Sequence, residues 1–145
     1  MRLSNVAATS LLFASFLFGA PHGAAAQSPE DLAAIEQAAL DYIDGYYSGN
    51  AERMERALHP ELAKRIVRVD ENGQYVPQQM DAASLIEITR GMAQRPVPES
   101  DRVKDVKILD VYENVASVRI DAAMWIDYLH LARWNGEWKI VNVLW

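Results

Sequence analysis

Residues Val106 to Trp145 read VKILDVYENVASVRIDAAMWIDYLHLARWNGEWKIVNVLW, and all four tryptophans of the chain lie inside this stretch. It holds three β-like runs, with a tight turn expected at Glu113-Asn114 and another at Asn135-Gly136. An Asn-Gly pair between such runs is a strong hairpin signal, because both central positions of a type I′ turn take positive φ. That loop sets Trp134 opposite Glu137 and, continued without interruption, sorts the residues onto two faces. One face carries Tyr128, His130, Ala132 and Trp134 beside Lys139, Val141, Val143 and Trp145. The other carries Trp125, Asp127, Leu129 and Leu131 beside Trp138, Ile140, Asn142 and Leu144. Both are largely apolar, whereas an antiparallel sheet with one wet side alternates between apolar and polar. Each large side chain gains about 1.5–3 kcal/mol on full burial. Two apolar faces therefore need two coverings, and an uncovered one invites aggregation. Helices are expected on one face and a second copy of the chain on the other, giving a homodimer packed sheet to sheet.

The residues that precede the sheet supply those helices. Ser28-Pro29-Glu30-Asp31 is a helix start: serine caps free N–H groups, proline suits the first helical position, and acids meet the positive dipole end. Leu32, Ile35, Ala39, Tyr42 and Tyr46 then recur at three and four, an amphipathic stripe that Gly49 ends. Asn50 caps a short helix over Ala51 to Leu58, and His59-Pro60 closes it, since a residue before proline is pushed out of the α region. A weak hairpin follows, with a strand over Arg65 to Val69, a turn at Glu71-Asn72-Gly73-Gln74 and a return at Tyr75-Val76. Asp81 caps a third helix carrying Leu85, Ile88 and Met92.

The first 26 residues have the three parts of a signal peptide. Arg2 gives a basic start, Leu11 to Phe18 an apolar run too short to span a bilayer, and Ala24-Ala25-Ala26 the small residues of a cleavage site. A secreted, periplasmic protein beginning at Gln27 is expected, with one domain over residues 27–145. The chain has no cysteine, which excludes a disulfide framework, thiolate chemistry and a lipid anchor on cysteine. Its net charge of −6, with no Lys/Arg cluster, argues against nucleic acid and anionic membranes as partners.

The order helix, short helix, weak hairpin, helix, long antiparallel sheet resembles the NTF2-like superfamily, an α+β cone. Within it the chain is similar to the lumazine-binding and SnoaL-like group. The resemblance rests on Tyr42 to Asn50, on His59 to Leu62, on Asp127-Tyr128-Leu129-His130-Leu131, and on the closing run from Asn135 to Trp145. It implies three helices packed on a curved sheet, a deep pocket between them, a small-molecule ligand and a homodimer. Relatives include ketosteroid isomerases, polyketide cyclases, dehydratases and scaffold domains, so the fold names no reaction.

Candidate ligand-binding residues are Tyr42, Tyr46, His59, Asp127, Tyr128, His130 and Trp145. A carboxylate buried in an apolar cone has a raised pKa and can exchange a proton, which singles out Asp127. Tyr128 and His130 share a face roughly 7 Å apart along the strand, and with Trp145 they are assigned to the pocket side. Asp127 and His130 point to opposite faces, which argues against a simple dyad. Tyr42 and Tyr46, one helical turn apart, can donate to a ligand carbonyl or pack as core. His59 can line the pocket mouth or stabilise a helix C-terminus. No metal-ligand spacing is present, and no cofactor is expected. The isomerases implied by the resemblance need an aspartate base in the early hairpin, where this chain has Lys64-Arg65-Ile66-Val67-Arg68. Small-molecule binding without evident catalysis is the leading expectation. A cyclase, dehydratase or isomerase on a small hydrophobic substrate and a dimeric interaction module are the alternatives.

Overall fold

The computed structural model describes residues 28–145; the expected signal peptide and Gln27 lie outside them. Helix α1 runs Pro29–Ser48, α2 Ala51–Ala57 and α3 Ala82–Met92. Strands β1 (Leu58–Val69), β2 (Tyr75–Met80), β3 (Lys104–Tyr112), β4 (Val115–Ala122), β5 (Ile126–Trp134) and β6 (Glu137–Leu144) form one six-stranded sheet of order β2-β1-β6-β5-β4-β3. Among the described strands only the β1–β6 pair is parallel. Among the described residues no helix is long and apolar enough to cross a membrane.

The caps form as their residues dictate. Ser28, Asn50 and Asp81 side chains each accept from a backbone N–H in the first turn of their helix. Gly49 takes φ 70° at the end of α1, and a Cβ there would stand 2.1 Å from the Ala93 nitrogen, so α3 docks against α1 only because this position is glycine. On α1 the buried apolar side chains are Ile35, Ala38, Ala39, Tyr42, Ile43 and Tyr47; Leu32, at one end of the expected stripe, is exposed.

Four readings change. The Val106–Trp145 stretch with its lead-in makes four strands rather than three, because Ala122 to Trp125 form a turn closed by an Ala122 N–H to Trp125 carbonyl bond of 3.0 Å. The second helix stops at Ala57, and β1 is already under way at Leu58, so His59-Pro60 lies in a strand. Extended backbone satisfies the pre-proline restriction as well as a helix end does, and the irregular β1–β6 pairing between Leu58 and Ala63 accommodates a residue with no N–H to donate. The early strand is accordingly 12 residues long, not five.

The fourth change concerns register. The Asn-Gly hairpin forms as expected, with φ 51° at Asn135 and 86° at Gly136 and Trp134 paired to Glu137. The register holds through Leu131–Ile140 and then slips: His130 pairs with Asn142, Leu129 with Val143 and Tyr128 with Leu144. Val141 is the extra residue of a β-bulge. One inserted residue exchanges the faces of everything beyond it. Val143 and Trp145 therefore join Asp127, Leu129 and Leu131 on the inner, helix-covered face, while Asn142 and Leu144 turn outward beside His130 and Tyr128. The core lies between that inner face and the helices, built on Ile35, Ile43, Tyr47, Met54, Val118, Ile120, Leu129, Leu131, Ile140 and Val143.

Candidate functional site

Asp127 is the only fully buried carboxylate among the described residues, at 0% exposure. It sits one residue into β5 on the inner face, where alternation buries Asp127, Leu129 and Leu131 and exposes Ile126, Tyr128 and His130. A buried charge of this kind persists only if paired and hydrogen-bonded. Three donors converge on it. Lys64 Nζ donates to Oδ1 at 3.0 Å, the Tyr42 hydroxyl to Oδ2 at 3.0 Å, and Trp125 Nε1 to Oδ2 at 2.8 Å. Lys64 also donates to the Tyr42 oxygen at 2.7 Å, closing a ring of three polar side chains.

Each donor is placed by its element. Tyr42 is on the buried stripe of α1. Trp125 ends the β4–β5 turn and shares a strand face with Asp127 two residues on. Lys64 lies on β1 in the alternating set Leu62, Lys64, Ile66 and is itself buried. Burial pushes its ammonium down from the usual lysine range, against the opposing pull of Asp127. Burial, then the Asp127 charge, hold the Tyr42 phenol well above its usual value, so it stays protonated and donates.

In front of this cluster lies a cavity of about 230 Å³ between α1, α3 and the inner face of the sheet. Tyr46, Trp125, Trp145, Met80, Leu85 and Ile88 form its apolar walls, and Tyr42 and Lys64 its polar end. The Lys64 nitrogen stands 4.6 Å from the centre of the Trp145 ring, a cation–π contact. Trp145 is held in turn by its own N–H, which donates to the Arg65 carbonyl at 3.1 Å.

Of the residues singled out from sequence, Tyr42, Tyr46, Asp127 and Trp145 come together here. Tyr128, His130 and His59 do not. The Val141 bulge separates Trp145 from Tyr128 and His130, so the pocket-side assignment of those two is corrected: both lie on the outer face. His130 meets Asn142 at 3.3 Å and borders a shallow apolar hollow of about 250 Å³ with Tyr112, Val115 and Val141. Tyr128 lies near the Arg119 guanidinium, whose central carbon is 5.9 Å from the ring centre. His59 is buried edge-on to Trp134, with ring centres 4.5 Å apart, and its Nδ1 accepts from the Glu61 N–H at 3.1 Å. Lys64 is a site residue that the expectations from sequence do not include, since they treat its stretch only as one without a carboxylate. The signal was there: a lysine alternating with Leu62 and Ile66 on one strand face is a lysine pointing into the core. Among the described residues no three His, Asp or Glu side chains converge to hold a metal ion.

The family model described as "Putative lumazine-binding" matches residues 30–145, and the chain belongs to that family. No curated protein matches the chain. Among solved structures, it resembles an NTF2-like protein of unknown function from Methylobacillus flagellatus (21% identity, 82% of this chain and 93% of that one, TM-score 0.64). A second such protein, from Silicibacter pomeroyi, shows 17% identity over 79% of this chain and 93% of that one, TM-score 0.62. A ketosteroid isomerase-like protein from Erwinia carotovora atroseptica shows 15% identity over 81% and 95%, TM-score 0.57. These likenesses establish the NTF2-like cone.

The ion pair generates a test. Lys64→Met strands the Asp127 charge and should cost about 3–5 kcal/mol of folding stability. The double variant Lys64→Met/Asp127→Asn should recover more than half of that loss in urea unfolding. Equal losses in both would show that the pair is not what this end of the core depends on.

Proposed function

We propose that this member of the lumazine-binding family holds a small ring compound in its cone and carries out no chemistry on it. The observation that carries the reading is the lining of the cavity. Its walls are aromatic and aliphatic, with a fixed polar group at one end, which is how binding sites combine apolar contact with orientation. At about 230 Å³ it suits one or two rings. A catalytic reading needs a group free to exchange a proton with the ligand. Asp127 already accepts three hydrogen bonds, and the Tyr42 proton is committed to it. The family description adds lumazine, a flat bicyclic heterocycle, as a first compound to try.

The test is titration with lumazine and a panel of one- and two-ring compounds, followed by tryptophan fluorescence. Trp125 and Trp145 line the cavity, so an occupant should change their emission. Ile88→Trp, a change at the partly exposed rim, should fill the space and weaken binding at least tenfold with little loss of stability. Saturable binding that Ile88→Trp leaves unchanged would move the site elsewhere.

The same reading includes a homodimer and export. Val67, Val69, Tyr75, Tyr128 and Leu144 share the outer face across β2, β1, β6 and β5, each more than 40% exposed. A patch of that extent on a monomer is an association surface, and a second copy offers the same patch in return. Light scattering at micromolar concentration should report a dimer, and Tyr128→Glu/Leu144→Glu a monomer that still binds ligand. A monomeric wild-type protein would overturn the dimer. The three-part pattern of residues 1–26 supports secretion to the periplasm. Mass spectrometry of the periplasmic fraction should find a product beginning at Gln27, and an uncleaved chain would count against it.

A further inference from the structure

The charged groups around the cavity do not balance, and the imbalance specifies the ligand further. Lys64 and Arg68 lie two pleats apart on the same face of β1, and both approach the Trp145 ring, at 4.6 and 5.9 Å from its centre. Around them α1 contributes Tyr42 and Tyr46, α3 contributes Leu85 and Ile88, and β2 contributes Met80. The one carboxylate in the cluster is Asp127, which is paired with Lys64. Arg68 forms no ion pair among the described residues. Two cations thus attend one anion, Lys64 buried against it and Arg68 exposed on the far side of the Trp145 contact.

The hydrogen-bond inventory points the same way. An ammonium has three protons. Lys64 places one on Tyr42 and one on Asp127, leaving the third without an oxygen partner beside the cavity. The Tyr46 hydroxyl belongs to a residue of the cavity wall, makes no hydrogen bond to another described residue and is open to water. The cavity therefore offers two donors, one of them charged, while its only free acceptor among these groups is the neutral Tyr46 oxygen.

Resting on the binding reading above, we propose that the ligand is a ring-bearing monocarboxylic acid. Its rings lie against Trp125, Trp145 and Leu85, and its carboxylate accepts from Lys64 Nζ and the Tyr46 hydroxyl in the field of Arg68. The carboxylate restores charge balance and uses both free donors, one for each oxygen. An amine meets two like charges instead, and a neutral amide brings one uncharged acceptor oxygen to two donors.

The experiment compares naphthoate with naphthamide and naphthylmethylamine, which share one ring system and differ in charge. Calorimetry on protein expressed from the full-length chain reads the affinities. Naphthoate should bind at least about tenfold more tightly than the amide, the range for a charge-assisted hydrogen bond, and the amine should bind weakest. Arg68→Gln, an exposed position, should reduce the naphthoate preference several-fold. The double variant Lys64→Met/Asp127→Asn, which removes the Lys64 donor but leaves the net charge and Arg68 in place, should also reduce it several-fold. Equal binding of the three compounds overturns the carboxylate inference and leaves the apolar binding reading standing. A preference that both variants leave undiminished overturns it too, because the anion is then held elsewhere. Binding of none of the three overturns the cavity as a ring-compound site and the inference with it.

Discussion

A carboxylate with no exposure to water governs the inner half of this structure. Asp127 belongs to β5, yet its partners come from α1, β1 and the β4–β5 turn, and Tyr42 is 85 residues away in sequence. Removing a carboxylate from water costs several kcal/mol, recovered only while its donors stay in place. The cluster therefore acts as a geometric condition on the fold. Helix α1 must sit at the height that brings Tyr42 to Oδ2, and β1 must run beside β6 in the register that brings Lys64 to Oδ1. Apolar packing alone tolerates a range of such placements. Charged hydrogen bonds near 3 Å do not.

The bulge at Val141 is what makes that condition compatible with the hairpin. The Asn-Gly turn sets one register near the loop, and the far end of β6 needs the other. Without the extra residue Asn142 would point into the core and Trp145 out of it. With it, Asn142 finds the Arg65 guanidinium at 3.3 Å on the outer face, and Trp145 closes the cavity over Lys64. A single inserted position thus divides β6 into a part that follows the turn and a part that serves the site.

This division also explains what the amino-acid sequence disclosed and what it withheld. Helix caps, the type I′ turn and the alternation of β5 are local effects, written in Ser28, Asn50, Asp81, Asn135-Gly136 and Asp127 to Leu131, and each is legible from its own neighbourhood. The cone and the burial of Asp127 and Tyr42 could be reached from pattern and resemblance together. The bulge could not, because Val141 is one valine in a run of apolar residues and nothing local marks it as extra. The placement of Tyr128 and His130 failed with it. Lys64 was legible in alternation, but a cation between apolar neighbours invites the reading that it is solvated, and only the carboxylate on a distant strand makes its burial affordable.

Lys64 also separates this cone from the chemistry its fold is known for. The ketosteroid isomerases implied by the resemblance need a carboxylate base in the early hairpin, a group that takes a proton from the bound molecule. A protonated lysine in that stretch donates instead. Its depressed pKa does not by itself make it a base, since Asp127 opposes the shift and the amine is already engaged in two donor bonds. The proposed binding role rests on that difference: a donor at this end of the cavity suits an oxygen that carries negative charge better than a proton to be removed.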